Sequence, residues 1–122
     1  MPDREFTATV RLQERLPIID LKGEVNSFAE DALDAAFSQA CATEPSAVLL
    51  NFQNVTYVNS TGIALIVALL ARARKTHMQL IVAGLSDHYR HVFSITRLAD
   101  FMTICDDEAG AIAMAAPSKT EN

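Results

Sequence analysis

The residues with the clearest chemical possibilities are Asn59-Ser60-Thr61-Gly62, which stand between an apolar strand pattern and a wholly apolar helix pattern. A hydroxyl there sits at the positive end of a helix dipole, beside backbone N–H groups that have no acceptor one turn back. Two uses fit. In the first, Ser60 or Thr61 caps the helix and Gly62 allows close packing. In the second, Ser60 accepts a phosphate. This would add up to about two negative charges where a helix N-terminus tolerates them, and would change the surface offered to a partner. The two uses are compatible. Between Glu44 and Asp87 there is no Asp or Glu, while Arg72, Arg74 and Lys75 are present, which lowers the cost of adding an anion.

Other reactive side chains point to less. His88 and His91 share a helix face at i, i+3, but no further soft ligand lies near them and Arg90 between them repels a metal. They read as a solvated face. His77 follows a basic stretch and reads as a residue near the last carbonyls of a helix. Cys41 and Cys105 form neither a C-x-x-C pair nor zinc spacing, which fits a reducing compartment. The four glycines build no phosphate-cradling loop, and no G-x-S-x-G elbow or carboxylate pair is present. No enzyme activity, catalytic residue, metal or cofactor is expected.

The 122 residues amount to one domain, expected over residues 1–116, with a flexible tail over 117–122. Half the chain is hydrophobic and a fifth is charged, a globular composition. A net charge of −5 argues against nucleic acid or an anionic membrane as partner. The longest apolar run, Ile63–Ala71, has nine residues, and a membrane span needs about 20. With no basic start followed by an apolar stretch, a cytoplasmic protein is expected, without direct membrane insertion.

The elements that must position Ser60 follow from periodicity. Thr7–Gln13 alternates with period two, Glu14-Arg15 is a turn, and Leu16–Lys22 returns as a second strand ended by Gly23. Asn26 or Ser27 caps a helix whose inner face includes Phe28, Ala29, Leu33, Phe37 and Ala40. Ala47–Phe52 reads as a strand buried on both faces, and Val55–Val58 as irregular. A helix follows over roughly 61–76, with its cations at the C-terminal end. Gln79–Gly84 is a strand, 87–96 a helix capped by Ser86 with Tyr89, Val92, Phe93 and Thr96 facing inward, and Met102–Cys105 a short strand. A last helix starts at Asp106 or Asp107 and runs to about Ala115. Strands and helices alternating after an opening hairpin predict an α/β domain: one mixed sheet with crossover helices packed against it.

In this setting the sequence resembles a STAS domain, the fold of bacterial anti-sigma factor antagonists, over roughly Thr7 to Ala115. The likeness lies in Gly23-Glu24-Val25-Asn26, Val48-Leu49-Leu50-Asn51-Phe52, Val58-Asn59-Ser60-Thr61-Gly62-Ile63, Gly84-Leu85-Ser86 and Asp106-Asp107-Glu108-Ala109. The resemblance implies a binding module in a partner-switching circuit. Unmodified, such a domain docks on an anti-sigma factor that is also a serine kinase of the GHKL ATPase type. Phosphorylation of the serine matching Ser60 releases it, and a PP2C-type phosphatase restores docking. The docking surface implied is Asn26, Asn59, Thr61, Gly62, Ile63 and Leu65.

The pattern departs from the family at three positions where Asp is usual and Asn stands here: Asn26, Asn51 and Asn59. Each swap keeps shape and removes a charge. An Arg on a partner would lose a charge-assisted pairing at Asn26 or Asn59, worth about 1–3 kcal/mol. Arg97 replaces a glycine common in the loop after the third helix. The departures keep open a constitutive, unphosphorylated interaction module, such as a stressosome-like scaffold or a subunit docked on a transporter ATPase. A small-ligand sensor or enzyme is the remaining alternative, with His88 and His91 as its only support.

Overall fold

A computed structural model describes residues 6–115; the expected tail, 117–122, lies outside the described residues. Strands β1 (Thr7–Gln13) and β2 (Leu16–Val25) form an antiparallel hairpin, with Thr7 opposite Lys22 and Gln13 opposite Leu16. Its two-residue turn has positive φ at both Glu14 (52°) and Arg15 (73°), the sign pattern of a type I′ turn, which matches strand twist. Two charged residues thus occupy positions that Asn-Gly would signal in a sequence.

The chain then alternates helix and strand: α1 (Glu30–Cys41), β3 (Ala47–Val58), α2 (Ser60–Lys75), β4 (Gln79–Ala83), α3 (Asp87–Ile95), β5 (Thr103–Cys105) and α4 (Glu108–Ala115). The sheet order is β1-β2-β3-β4-β5, and every pairing after the hairpin is parallel. The expected mixed sheet with crossover helices is therefore the observed one. No helix among the described residues is long and apolar enough to cross a membrane.

Alternation along the strands divides the core in two. Ile19, Leu21, Val48, Leu50, Phe52, Leu80 and Val82 face α1, α2 and α3, packing on Leu33, Phe37, Ile66, Leu69 and Phe93. Leu16, Ile18, Ala47, Leu49, Ile81 and Ala83 face the other way, onto Ala111 and Ala115 of α4. This double burial explains the nearly continuous apolar run of β3.

Two strands outrun their expected ends. β2 passes through Gly23, which takes φ +102° beside a register shift, and continues to Val25. β3 runs on from Phe52 to Val58, paired with β2 up to Val25 opposite Val58. The far half of β3 lies beyond the end of β4, whose last pair is Asn51 with Ala83. That overhang carries the chain out to Ser60. Thr96, expected on the inner face of α3, is exposed and caps its C-terminus.

Candidate functional site

The parallel strands β2 and β3 end side by side, so the loops after them meet. The Asn59 N–H donates to the Val25 carbonyl at 3.2 Å. Gly62 lies so close that a Cβ there would stand 2.1 Å from the Val25 oxygen and 2.9 Å from Val58 Cγ1. Only a residue without a side chain fits, which fixes the first turn of α2 against the end of β2. Asn26 and the 59–62 segment thus belong to one surface.

Each loop uses its Asn as a cap. Asn59 Oδ1 accepts from the Gly62 N–H at 2.8 Å, and the Asn59 carbonyl accepts from the Ile63 N–H at 2.9 Å. The helix cap is therefore Asn59, not Ser60 or Thr61, and Ser60 becomes the first helical residue. Of the four N–H groups at this end with no acceptor one turn back, those of Asn59 and Gly62 are bonded, while Ser60 and Thr61 are both exposed. Asn26 Oδ1 accepts from the Phe28 N–H at 2.9 Å and caps a 3-10 turn, Ser27–Ala29, which precedes α1. Its amide Nδ2 approaches Glu24 Oε1 at 3.5 Å. Asn26 and Asn59 are half-buried, Gly62 is buried, and Ile63 and Leu65 are half-buried against the core.

The interposed turn rotates Phe28 away from the inner face expected for it. The ring is 90% exposed, next to the Asn26 cap. Between Ile63 and Arg72 the outward residues of α2 are Ala64, Val67, Ala68 and Ala71, a small apolar face beside the site. Phe28 carries a helical spacing signal identical to that of a core residue, so periodicity alone did not reveal its exposure.

Asn51 lies deeper, in a polar chain across β1, β2, β3 and α4. Its Nδ2 donates to Asp20 Oδ1 at 2.8 Å, and its Oδ1 accepts from the Gln53 N–H at 3.1 Å. Arg11 donates to both Asp20 and Glu108, at 3.1 Å for its longer contact to each. Bonds from Arg11, then that from Asn51, hold the Asp20 carboxyl below its usual range, and Arg11 does the same to Glu108. Asn51 must donate here, because an Asp in its place would confront the Asp20 carboxylate.

The remaining candidates stand apart. His88 and His91 are exposed, and His88 meets the Tyr89 ring edge-on at 4.7 Å. No group of three His, Cys, Asp or Glu gathers for a metal among the described residues. Cys41 lies 4.0 Å from the Met78 sulfur, and burial pushes up both the Cys41 and Cys105 thiols. Arg97, at the position of the family glycine, takes φ +68°, a conformation that glycine adopts without strain.

Fold and site together define a single-sheet α/β domain whose loops at the β2 and β3 ends present an exposed serine on an Asn-capped helix. The sequence matches the STAS domain family over residues 7–111, and the chain belongs to that family. It is 26% identical over 92 residues to the anti-sigma-B factor antagonist of Staphylococcus aureus strain NCTC 8325, covering 75% of this chain and 85% of that protein. An anti-sigma factor antagonist from Mycobacterium paratuberculosis superimposes with a TM-score of 0.80 at 19% identity, over 94% of this chain and 97% of the other. The Bacillus cell fate determinant SpoIIAA, in its phosphorylated form, superimposes with a TM-score of 0.67 at 22% identity, over 90% and 98%.

Proposed function

We propose that this protein is a cytoplasmic anti-sigma factor antagonist, not an enzyme, and that Ser60 switches it. Unphosphorylated, it binds an anti-sigma factor that is also a GHKL-type serine kinase. In the reverse sense, the Ser60 Oγ attacks the γ-phosphorus of ATP, the bond to ADP breaks, and the hydroxyl proton passes to a base on the kinase. The dianionic product no longer docks, and a PP2C-type phosphatase restores the hydroxyl. The observation that carries this reading is the division of labour at the start of α2. Asn59 fills the cap, so Ser60 stands exposed at the first helical position, its hydroxyl not committed to the helix. The antagonist names of the relatives and the phosphorylated state of SpoIIAA support it.

The partner surface comprises Asn26, Asn59, Thr61, Gly62, Ile63 and Leu65, to which Phe28 is added by its exposure. With Asn at 26 and 59 the surface is less acidic than the family pattern, so the partner facing it needs fewer cations there. An Asp at 26 would stand against Glu24, which gives the neutral residue a local reason.

The test is incubation with ATP and each anti-sigma kinase of the source organism, followed by mapping of the product by mass spectrometry. One phosphate on Ser60 is expected; phosphate elsewhere, or none, overturns the assignment. The Asn residues also favour a second reading, a constitutive STAS adaptor. Tight binding that is indifferent to Ser60 would select it.

A further inference from the structure

We propose that Tyr89, on α3, is a positioning residue that fixes Ser60, rather than its neighbour Thr61, as the hydroxyl offered for modification; this rests on the reading of Ser60 as acceptor. The starting point is the overhang of β3. Beyond Asn51 the strand has β2 on one side and no part of β4 on the other. Asn59 donates to Val25 of β2, so by the alternation of a parallel ladder the backbone groups of Val58 point to the opposite, strandless side. Unpaired, they would cost what any half-buried amide costs.

One hydroxyl meets both. The Val58 N–H donates to Tyr89 Oη at 2.8 Å, and the Tyr89 hydroxyl donates to the Val58 carbonyl at 3.3 Å. Tyr89 thus stands in for the missing strand at the last residue of β3, one position before the helix cap and two before Ser60.

The hydroxyl is carried by an element anchored independently of that loop. Ser86 caps α3 by accepting from the Tyr89 N–H at 3.3 Å. Phe93 is buried with its ring edge-on to Phe52 at 6.2 Å, and Arg90 bonds Asp106 at 2.8 Å. The chain entering α2 is therefore pinned from two sides, by Val25 and by Tyr89. Ser60 and Thr61 are adjacent, exposed and chemically alike. What separates them is the placement of the backbone, which the Asn59 cap and Gly62 set from within the turn and the Tyr89 oxygen sets at the strand end that leads into it.

The experiment uses the full chain with Tyr89→Phe, which removes only that oxygen, and Tyr57→Phe as a control at an exposed tyrosine. Residue-resolved amide exchange is measured first, then phosphorylation by the anti-sigma kinase with the product mapped. In Tyr89→Phe, exchange at Val58 is expected to rise by about tenfold or more, while Leu49, Ile81 and Phe93 keep their protection. The share of phosphate on Thr61 is expected to rise with it. Tyr57→Phe changes neither.

Exchange at Val58 within about twofold of the parent overturns the proposal. A rise spread evenly over Leu49, Ile81 and Phe93 also overturns it, because that is general loosening. Faster exchange at Val58 with phosphate still confined to Ser60 refutes the selection of the hydroxyl. A parent protein that takes no phosphate refutes the acceptor reading instead, and exchange at Val58 alone then decides whether Tyr89 fixes the loop.

Discussion

Replacing Asn51 by Asp restores the acid usual in the family, yet here it should weaken the protein. The Asn51 amide donates to Asp20 Oδ1 at 2.8 Å, a bond to a charged acceptor worth about 1.5–3 kcal/mol. The variant loses that bond and sets two carboxylates against each other. At an effective dielectric near 20 two unit charges about 4 Å apart repel by about 4 kcal/mol. Arg11 beside Asp20 offsets part of this, and the Asp20 side chain, 30% exposed, is screened by water. A net loss of about 2–4 kcal/mol at neutral pH is expected.

The sign with pH follows. Repulsion raises the folded-state pKa of the new carboxyl above its unfolded value near 4, so the penalty is full above the folded value. It fades as pH falls and the pair takes up a shared proton. Urea unfolding of both proteins at about pH 7, 5.5 and 4 reads this directly. Adding Asp20→Asn to the variant should recover most of the loss, because one amide and one carboxylate again face each other. An Asn51→Asp protein as stable as the parent at neutral pH, or a loss that does not change with pH, would refute the reasoning.

Two further outcomes are expected. Gly62→Ala places a methyl group 2.1 Å from the Val25 carbonyl oxygen, so the first turn of α2 must move. A loss of about 2 kcal/mol or more should appear in thermal unfolding, and an unchanged melting temperature would show that the close approach is not real. Phe28→Ala removes a ring that is 90% exposed, so stability should stay within about 0.5 kcal/mol while affinity for the anti-sigma factor falls about tenfold or more. Undiminished affinity would place Phe28 outside the interface.

The architecture was largely legible because its signals are local. Alternation in Thr7–Gln13, the helical stripe ending at Ala40 and the apolar strand Ala47–Leu50 each follow from the face they bury. The misread features depend on pairing with a distant strand in one case and on a local cap that interrupts the helical period in the other. β3 continues past Phe52 because β2, also longer than expected, is there to pair with it. Phe28 has core spacing but faces solvent because Asn26 caps a separate turn before α1.

At the site, the Ser-Thr-Gly element was visible, yet the cap was expected at Ser60 or Thr61, one or two residues too late. Only the 2.8 Å bond to Gly62 selects Asn59 and leaves Ser60 unused. The reason for Asn at 51 was hidden for a different cause: its partner, Asp20, lies 31 residues away. Tyr89 read as an inward-facing helix residue, and nothing local disclosed that its hydroxyl reaches Val58.

The most direct measurement is a calorimetric titration of the anti-sigma factor with the protein in two states, unmodified and fully phosphorylated on Ser60. Ser60→Ala and Ser60→Asp serve as fixed copies of each. A charge brought into a docked surface without a partner costs several kcal/mol, so affinity should fall by about a hundredfold or more on phosphorylation, with Ser60→Ala matching the unmodified protein. Equal affinity of the two states would contradict the switch and leave only a constitutive adaptor.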